Sequence, residues 1–250
     1  MVTLERVKEI FEKVVRERGL YEDSVLISFR PLKPEETIGN PKRDDFPIVI
    51  GKEKVIEASF KEAKAHVFTD SPVNYSGHLR EILKLNLRTN EERAVFVGAL
   101  NAVLKFLDIV EKTIHCKDKE PFECGKKIAK YLIEKKDVKK IGLIGFNPGI
   151  LEGLVDAFGP KALRVTDLNT ENVGKKKFGV PIWDGNSMTE RLIQEVDFIL
   201  VTGTTFVNGT YEGIHELIEK HGKNHLIYGV TGIGICTLLS LNSICPYGRY

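Results

Sequence analysis

The chain is poor in the residues that mark several functional classes. It has one tryptophan, two methionines, four cysteines and a single glutamine, Gln194. Long apolar runs are missing too. Leu226 to Cys245 comes nearest, but it carries Gly, Thr, Ser and Asn and reads as buried core, not as a membrane span. Residues 2 to 19 place a charge at every second or third position, where a secretory segment needs an uncharged stretch, so the expected location is cytoplasmic. No charge sign dominates: 37 Lys and Arg against 35 Asp and Glu give a net charge of +2, which provides no field for capturing nucleic acid or a membrane surface. The expected partner is a small molecule or a metal ion, and a homo-oligomer is left open.

Signature motifs are also missing. The chain has no complete GxGxxG, no Walker A loop, no GxSxG elbow and no HExxH helix, so ordinary nicotinamide, ATP, serine-hydrolase and zincin chemistry lack support. The cysteines fall as Cys116 with Cys124 and as Cys236 with Cys245, at spacings unlike the CxxC pairs of zinc ribbons. Inert thiols, a disulfide within either pair, and a metal site next to His115 all stay open. A single glutamine and two methionines beside 29% charged residues match proteins built for high temperature, in which intracellular disulfides do occur.

The patterning is that of a globular chain with two unlike halves. Val2 to Arg18 sets Leu4, Val7, Ile10, Phe11, Val14 and Val15 on one helical face, with Gly19 as the stop. Ser24–Arg30, Phe46–Ile50, Lys54–Phe60 and Lys64–Phe68 read as strands, and Gly77–Leu87 and Glu91–Val110 as helices, the second capped by Asn90. Strands followed by helices indicate an α+β unit over residues 1–118. Lys117 to Pro121 reads as a joint, followed by a helix over Phe122–Lys136. From Lys139 apolar strands (Ile141–Phe146, Leu163–Asp167, Phe198–Thr202, Leu226–Val230) alternate with helices (Ile150–Phe158, Thr189–Glu195, Tyr211–Lys220). This predicts an α/β class with a parallel, doubly covered sheet over residues 119–250.

In such a sheet ligands sit beyond the carboxyl ends of the strands, so the turns there carry the candidates. Gly145-Phe146-Asn147-Pro148-Gly149 leads into a helix whose free amides can receive an anion, or simply starts it. Asp167 ends the next strand, where an acid accepts ribose hydroxyls or closes a turn, and Asn169 and Asn172 stand nearby. Thr202 to Thr210 concentrates hydroxyls and glycines in Thr204, Thr205, Asn208 and Thr210, which favours an anionic guest over plain capping. Gly229 to Gly234 repeats the theme. In the first half Asp70, Arg93 and Asn101 are candidates to face the same cleft. The Lys175-Lys176-Lys177 run reads as a solvated loop.

Together Gly145–Gly149, Val165–Asn169, Phe178 to Asp184 and the VTGTTFVNGT stretch ending at Thr210 resemble the heavy-metal chelation family, a family of domains of unknown function. Arg93-Ala94 and Ala99 to Ala102 resemble the companion unit that precedes it. The resemblance implies an enolase-N-terminal-like α+β domain joined to a Rossmann-like domain, with a site in the cleft between them. It carries over Asn147, Asp167, Thr204, Thr205, Asn208 and Thr210, and no catalytic role.

Two readings follow. In one the chain is a binding protein whose cleft holds a divalent metal, or a small anionic metal-bearing molecule, on oxygens of Asp167, Thr204, Asn208 and Asp70. Such hard ligands suit Mg, Mn or Ca better than the soft metals that the family label names. In the other it is a transferase-like enzyme, with an adenosyl or nucleotide-type cofactor held by Asp167 and the Thr204–Thr210 loop.

Overall fold

The computed structural model describes every residue except 1, 2, 24, 25, 42, 44, 47, 50, 52 and 136. The opening helix α1 (Leu4–Glu17) starts on the side chain of Thr3, which accepts from the Arg6 amide, and buries Val7, Phe11 and Val15. Strand β1 (Leu26–Leu32) and helix α2 (Pro34–Ile38) follow, then β2 (Lys54–Phe60), β3 (Ala63–Thr69) and β4 (Tyr75–His78). These strands form an antiparallel sheet in the order β3-β2-β1-β4. Helix α3 (Leu79–Ile82) leads to α4 (Asn90–Phe106), which buries every residue from Ala94 to Leu104. A helix that is apolar all round needs cover on every side, and α4 has it, lying between the small sheet and the rest of the protein.

Helix α5 (Glu120–Ile133) opens the second half. A seven-stranded sheet follows, of β5 (Ile141–Ile144), β6 (Leu163–Asp167), β7 (Lys176–Lys177), β8 (Val180–Asp184), β9 (Phe198–Thr202), β10 (Asn224–Tyr228) and β11 (Ser243–Ile244). Its order is β11-β10-β9-β5-β6-β8-β7, parallel apart from the β7–β8 pair. The covering helices are α6 (Pro148–Phe158), α7 (Gly185–Glu195), α8 (Thr204–Asn208), α9 (Tyr211–Lys220) and α10 (Ile233–Leu238). The parallel, doubly covered sheet is the one expected from the strand pattern.

The two-residue period of the strands divides the protein into layers. Leu143, Val165 and Leu200 point to α5 and α6 on one face. Ile144, Ile199 and Val201 point the other way, into one continuous core with α4, α7 and the first sheet. Helices α5 and α6 pack at backbone contact, since a Cβ on Gly125 would stand 2.0 Å from the Gly149 carbonyl oxygen.

Several local expectations are corrected. Phe46–Ile50 is not a strand: Phe46, Ile48 and Val49 sit in turns and bury against Val55, while Pro47 and Ile50 lie outside the described residues. Gly77–Leu87 is not one helix, because residues through His78 pair with β1 and only Leu79–Ile82 coils. The cap of α4 is Thr89, which forms a capping box with Glu92 and places Asn90 inside the helix. The Lys117–Pro121 joint is shorter than expected, since Pro121 lies in the first turn of α5, where a missing amide costs nothing. Of the alternatives open for the cysteines, the structure has all four as free thiols, with Cys116, Cys124 and Cys245 close enough to disfavour one another's ionisation.

Candidate functional site

The strand order reverses at β5, whose successor β6 lies on one side and β9 on the other. Beyond the carboxyl ends of these strands, where an open α/β sheet leaves a crevice, lies a cavity of about 830 Å³. Its walls come from both sheets. Glu53, Phe68, Thr69, Asp70 and His115 form the wall from the first half. Residues from Ile144 to Asn147, Thr166 to Asn169, Gly185 to Ser187, Thr202 to Thr205 and Tyr228 to Thr231 form the rest, together with positions of α7 and of the stretch from Val207 to Leu217.

All eight residues singled out as ligand contacts line this one cavity: Asp70, Asn147, Asp167, Asn169, Thr204, Thr205, Asn208 and Thr210. Most also support the local backbone. Asn147 caps α6 by accepting from Ile150 at 3.0 Å. Asn169 accepts from Glu171, and Asn208 Oδ1 accepts from the amide and hydroxyl of Thr210. Thr205 donates to the Thr202 carbonyl at 2.7 Å, and Thr202 and Thr204 share a hydroxyl bond at 2.7 Å. Asp70 accepts from Asn90 and Ser71. Three further candidates do not line the cavity, the first being Asn172, which is buried in contact with Asp167. Arg93 donates to Val207 and Leu87 carbonyls and borders a separate cavity of about 210 Å³, while Asn101 is fully buried and ties α4 to the 231–234 loop.

Asp167 is the centre of the loop architecture. One oxygen accepts from the Phe146 amide at 2.7 Å and the other from Asn169 at 2.6 Å, so it pins the glycine turn to its own. Burial raises its pKa, against the amide bonds from Asn169 and Phe146 and a contact with Asn172. Gly145 makes that turn at φ +90°, with Thr202 Cγ2 2.6 Å from where a Cβ would stand. Tyr228 locks it from the other side, donating its hydroxyl to the Gly145 carbonyl at 2.7 Å. Burial pushes the Tyr228 phenol well above its ordinary range, and Glu53 and Asp167 add to the effect.

Glu53 was not singled out in the sequence, where it stands directly before the strand expected from Lys54. It faces Asp167 across the cavity, and burial together with that charge pushes its carboxyl up to about 7. His115 stands on the same wall, its ring 5.1 Å from that of Phe68; burial, reinforced by His66, lowers it to about 4 and keeps it neutral. Two buried atoms of the cavity wall have no hydrogen-bond partner, His115 Nδ1 and Thr166 Oγ1. Thr166 and Tyr228 were hidden inside strands that read simply as apolar.

The lining charges are Glu53, Asp70, Asp167 and Glu190, with no lysine or arginine among the described residues. The expectation of an anionic guest at the Thr202–Thr210 loop therefore meets an acidic cavity. Lys176 and Lys177 lie on the edge strand β7, outside it. No cysteine lines the cavity, and among the described residues no group of three His, Cys, Asp or Glu could hold a metal ion. A soft metal prefers thiolate. Burial pushes Cys124 up to about 12 and Cys245 up to about 11, and Cys116 higher still, so these thiols are protonated. The residues present do not fit a resident heavy-metal ion.

Comparison with known proteins agrees with this architecture. Residues 127–232 match the model of the family DUF364, described as "Putative heavy-metal chelation". No curated protein matches the chain. A crystal structure of a DUF364 protein of unknown function from Pyrococcus horikoshii is similar at a TM-score of 0.53 and 22% identity, covering 90% of this chain and 79% of that one. A DUF364 protein of unknown function from Desulfitobacterium hafniense has a TM-score of 0.43 and 12% identity, over 70% of this chain and 66% of that one. The first similarity shows a shared fold. The stretch from residue 127 to 232, with the glycine turn, Asp167 and the Thr202–Thr210 loop inside it, is the part of the chain that is similar to the DUF364 family.

Proposed function

We propose that the cleft binds a small organic molecule and that the protein's activity, binding or catalytic, is exercised on that molecule. The carrying observation is the cavity itself: about 830 Å³, within the range of small-molecule sites, at the switch point of the sheet. A bare ion has no use for that volume. The wall combines apolar groups such as Phe68, Ile144, Val207 and Ile214 with the polar edge of four loops, the mixture that holds an organic body and orients it. The two unpartnered buried atoms, Thr166 Oγ1 and His115 Nδ1, supply acceptor capacity that a ligand can fill.

A nucleoside-type ligand is favoured within this class by Asp167. After taking two backbone amides its carboxylate keeps lone pairs for ribose hydroxyls, in the position where related sheets hold them. Chelation of heavy metal as the family description words it would have to use Cys116, Cys124 and Cys245, which would first lose protons that burial holds in place. The test is native against denaturing mass spectrometry of untagged protein as purified, followed by a thermal-shift panel of nucleosides, other small organics and divalent metals. An organic mass released on denaturation, or stabilisation by an organic compound, supports the reading. Metal ions as the sole stabilisers contradict it.

A further inference from the structure

The carboxylates of the cleft are not equivalent. Asp70 is taken up by Asn90 and Ser71, and Glu190 pairs with Lys220 and His221. Asp184, just outside the cavity, caps α7 by accepting from the Asn186 amide and the Ser187 hydroxyl. Asn147 likewise answers the Ile150 amide at the start of α6, and Asp167 answers the Phe146 amide in the turn before it. The starts of α6 and α7, positive ends that would attract an anion, therefore already hold an acceptor of the protein's own. Glu53 is left, and among the described residues it meets the charge of Asp167 and no cation.

We infer, building on the reading of the cleft as an organic-ligand site, that its ligand carries a protonated nitrogen, an ammonium or amidinium, seated between Glu53 and Asp167. Every unanswered group on the wall can accept a hydrogen bond. Glu53 and Asp167 offer carboxylate oxygens, fully buried Thr166 offers an unpartnered hydroxyl oxygen beside Asp167, and neutral His115 has an unpartnered ring nitrogen. An ammonium group has three donors and no acceptor, which is the complement of this set. Without ligand, the shared burial of Glu53 and Asp167 is relieved by a proton on Glu53, whose carboxyl sits at about 7 next to Asp167 and Tyr228. A cation arriving there takes over the role of that proton and releases it.

The experiment compares matched pairs that differ only in this charge: phenethylamine against phenethyl alcohol, and adenosine against its analogue with an aminomethyl group in place of the ribose hydroxymethyl. Affinities are measured by calorimetry at pH 7 in two buffers of different ionisation enthalpy, on the wild type and on Glu53→Gln. The expected result is at least tenfold tighter binding of the amine in a pair, with proton release that the buffer comparison reads out. In Glu53→Gln both the preference and the release disappear. The buffer comparison on the wild type stands alone should the variant fold poorly. Equal affinity for amine and alcohol, or tighter binding of the alcohol, overturns the cation inference and leaves the organic-ligand reading in place. Binding of none of the four compounds, with no organic stabiliser in the broad panel, overturns both.

Discussion

Asn101 and Thr231 join the two sheets through a fully buried hydrogen bond: the Asn101 amide donates to the Thr231 carbonyl at 2.9 Å, and Asn101 Oδ1 accepts from Gly234 at 2.9 Å. Thr231 in turn accepts from the Phe68 amide at 3.2 Å, so α4, β3 and a cavity-lining loop share one polar knot. Asn101→Ala leaves a carbonyl and an amide buried without partners. The expected loss is about 2–4 kcal/mol of folding stability, read by urea unfolding. A loss under about 0.5 kcal/mol would mean that water replaces the side chain.

The contact between α5 and α6 depends on Gly125. Its added Cβ would meet Gly149 backbone at 2.0 Å, a neighbour with no side chain to rotate away. Gly125→Ala is expected to destabilise by about 1–3 kcal/mol, although alanine favours an isolated helix. Thermal unfolding decides the sign, and a stabilised variant would refute the close approach.

Two glutamates give stability opposite dependences on pH. Glu53 rises from 4.5 to about 7 on folding, so the unfolded chain loses its proton first and stability falls as pH rises from about 4.5 to 7. Glu57 is held down at about 2 by His66, with Lys64 and Arg30 assisting, so its contribution is present above pH 4.5 and lost as pH falls through about 2. The wild type should lose up to about 3 kcal/mol between pH 4.5 and 8 relative to Glu53→Gln, less what solvent at this half-buried site screens. Parallel stability profiles for the two proteins would contradict the placement of Glu53.

The thiols should be quiet. Burial raises all four, and Cys116, Cys124 and Cys236 are buried as residues. Alkylation of the native protein at pH 8 is expected to be at least tenfold slower than after denaturation, with four free thiols counted at the end. Rapid native labelling of Cys124 would contradict its burial.

The second half was the more legible in sequence, for a physical reason. Leu163–Asp167, Phe198–Thr202 and Tyr211–Lys220 were expected with the bounds they have, because a parallel sheet covered on both faces needs continuous apolar runs and its helices keep one wet face. Helix α8, from Thr204 to Asn208, was not legible, since threonine and asparagine are poor helix formers and packing on α4, β3 and α9 helps to hold them there. Phe46 misled by hydrophobicity: it is buried, but against Phe122 at 5.2 Å rather than in a ladder. Among site residues, the loop positions stood out because glycines and hydroxyls gather at the ends of several strands. Glu53, Thr166 and Tyr228 did not, because their role comes from what faces them across the cavity, and a chain read in order does not bring Glu53 next to Asp167.

The central claim is that the cavity takes an organic molecule and not a metal ion. The methyl groups of Ile144, Val207, Ile214 and Val230 line it and report on it directly by NMR. Titration with the matched amines and nucleosides should move these four resonances together and leave those of Ile128 and Leu132, on the buried face of α5, in place. Zinc or cadmium should leave the cavity methyls unmoved. Movement of those methyls by the metals, with none by the organic compounds, would contradict the account.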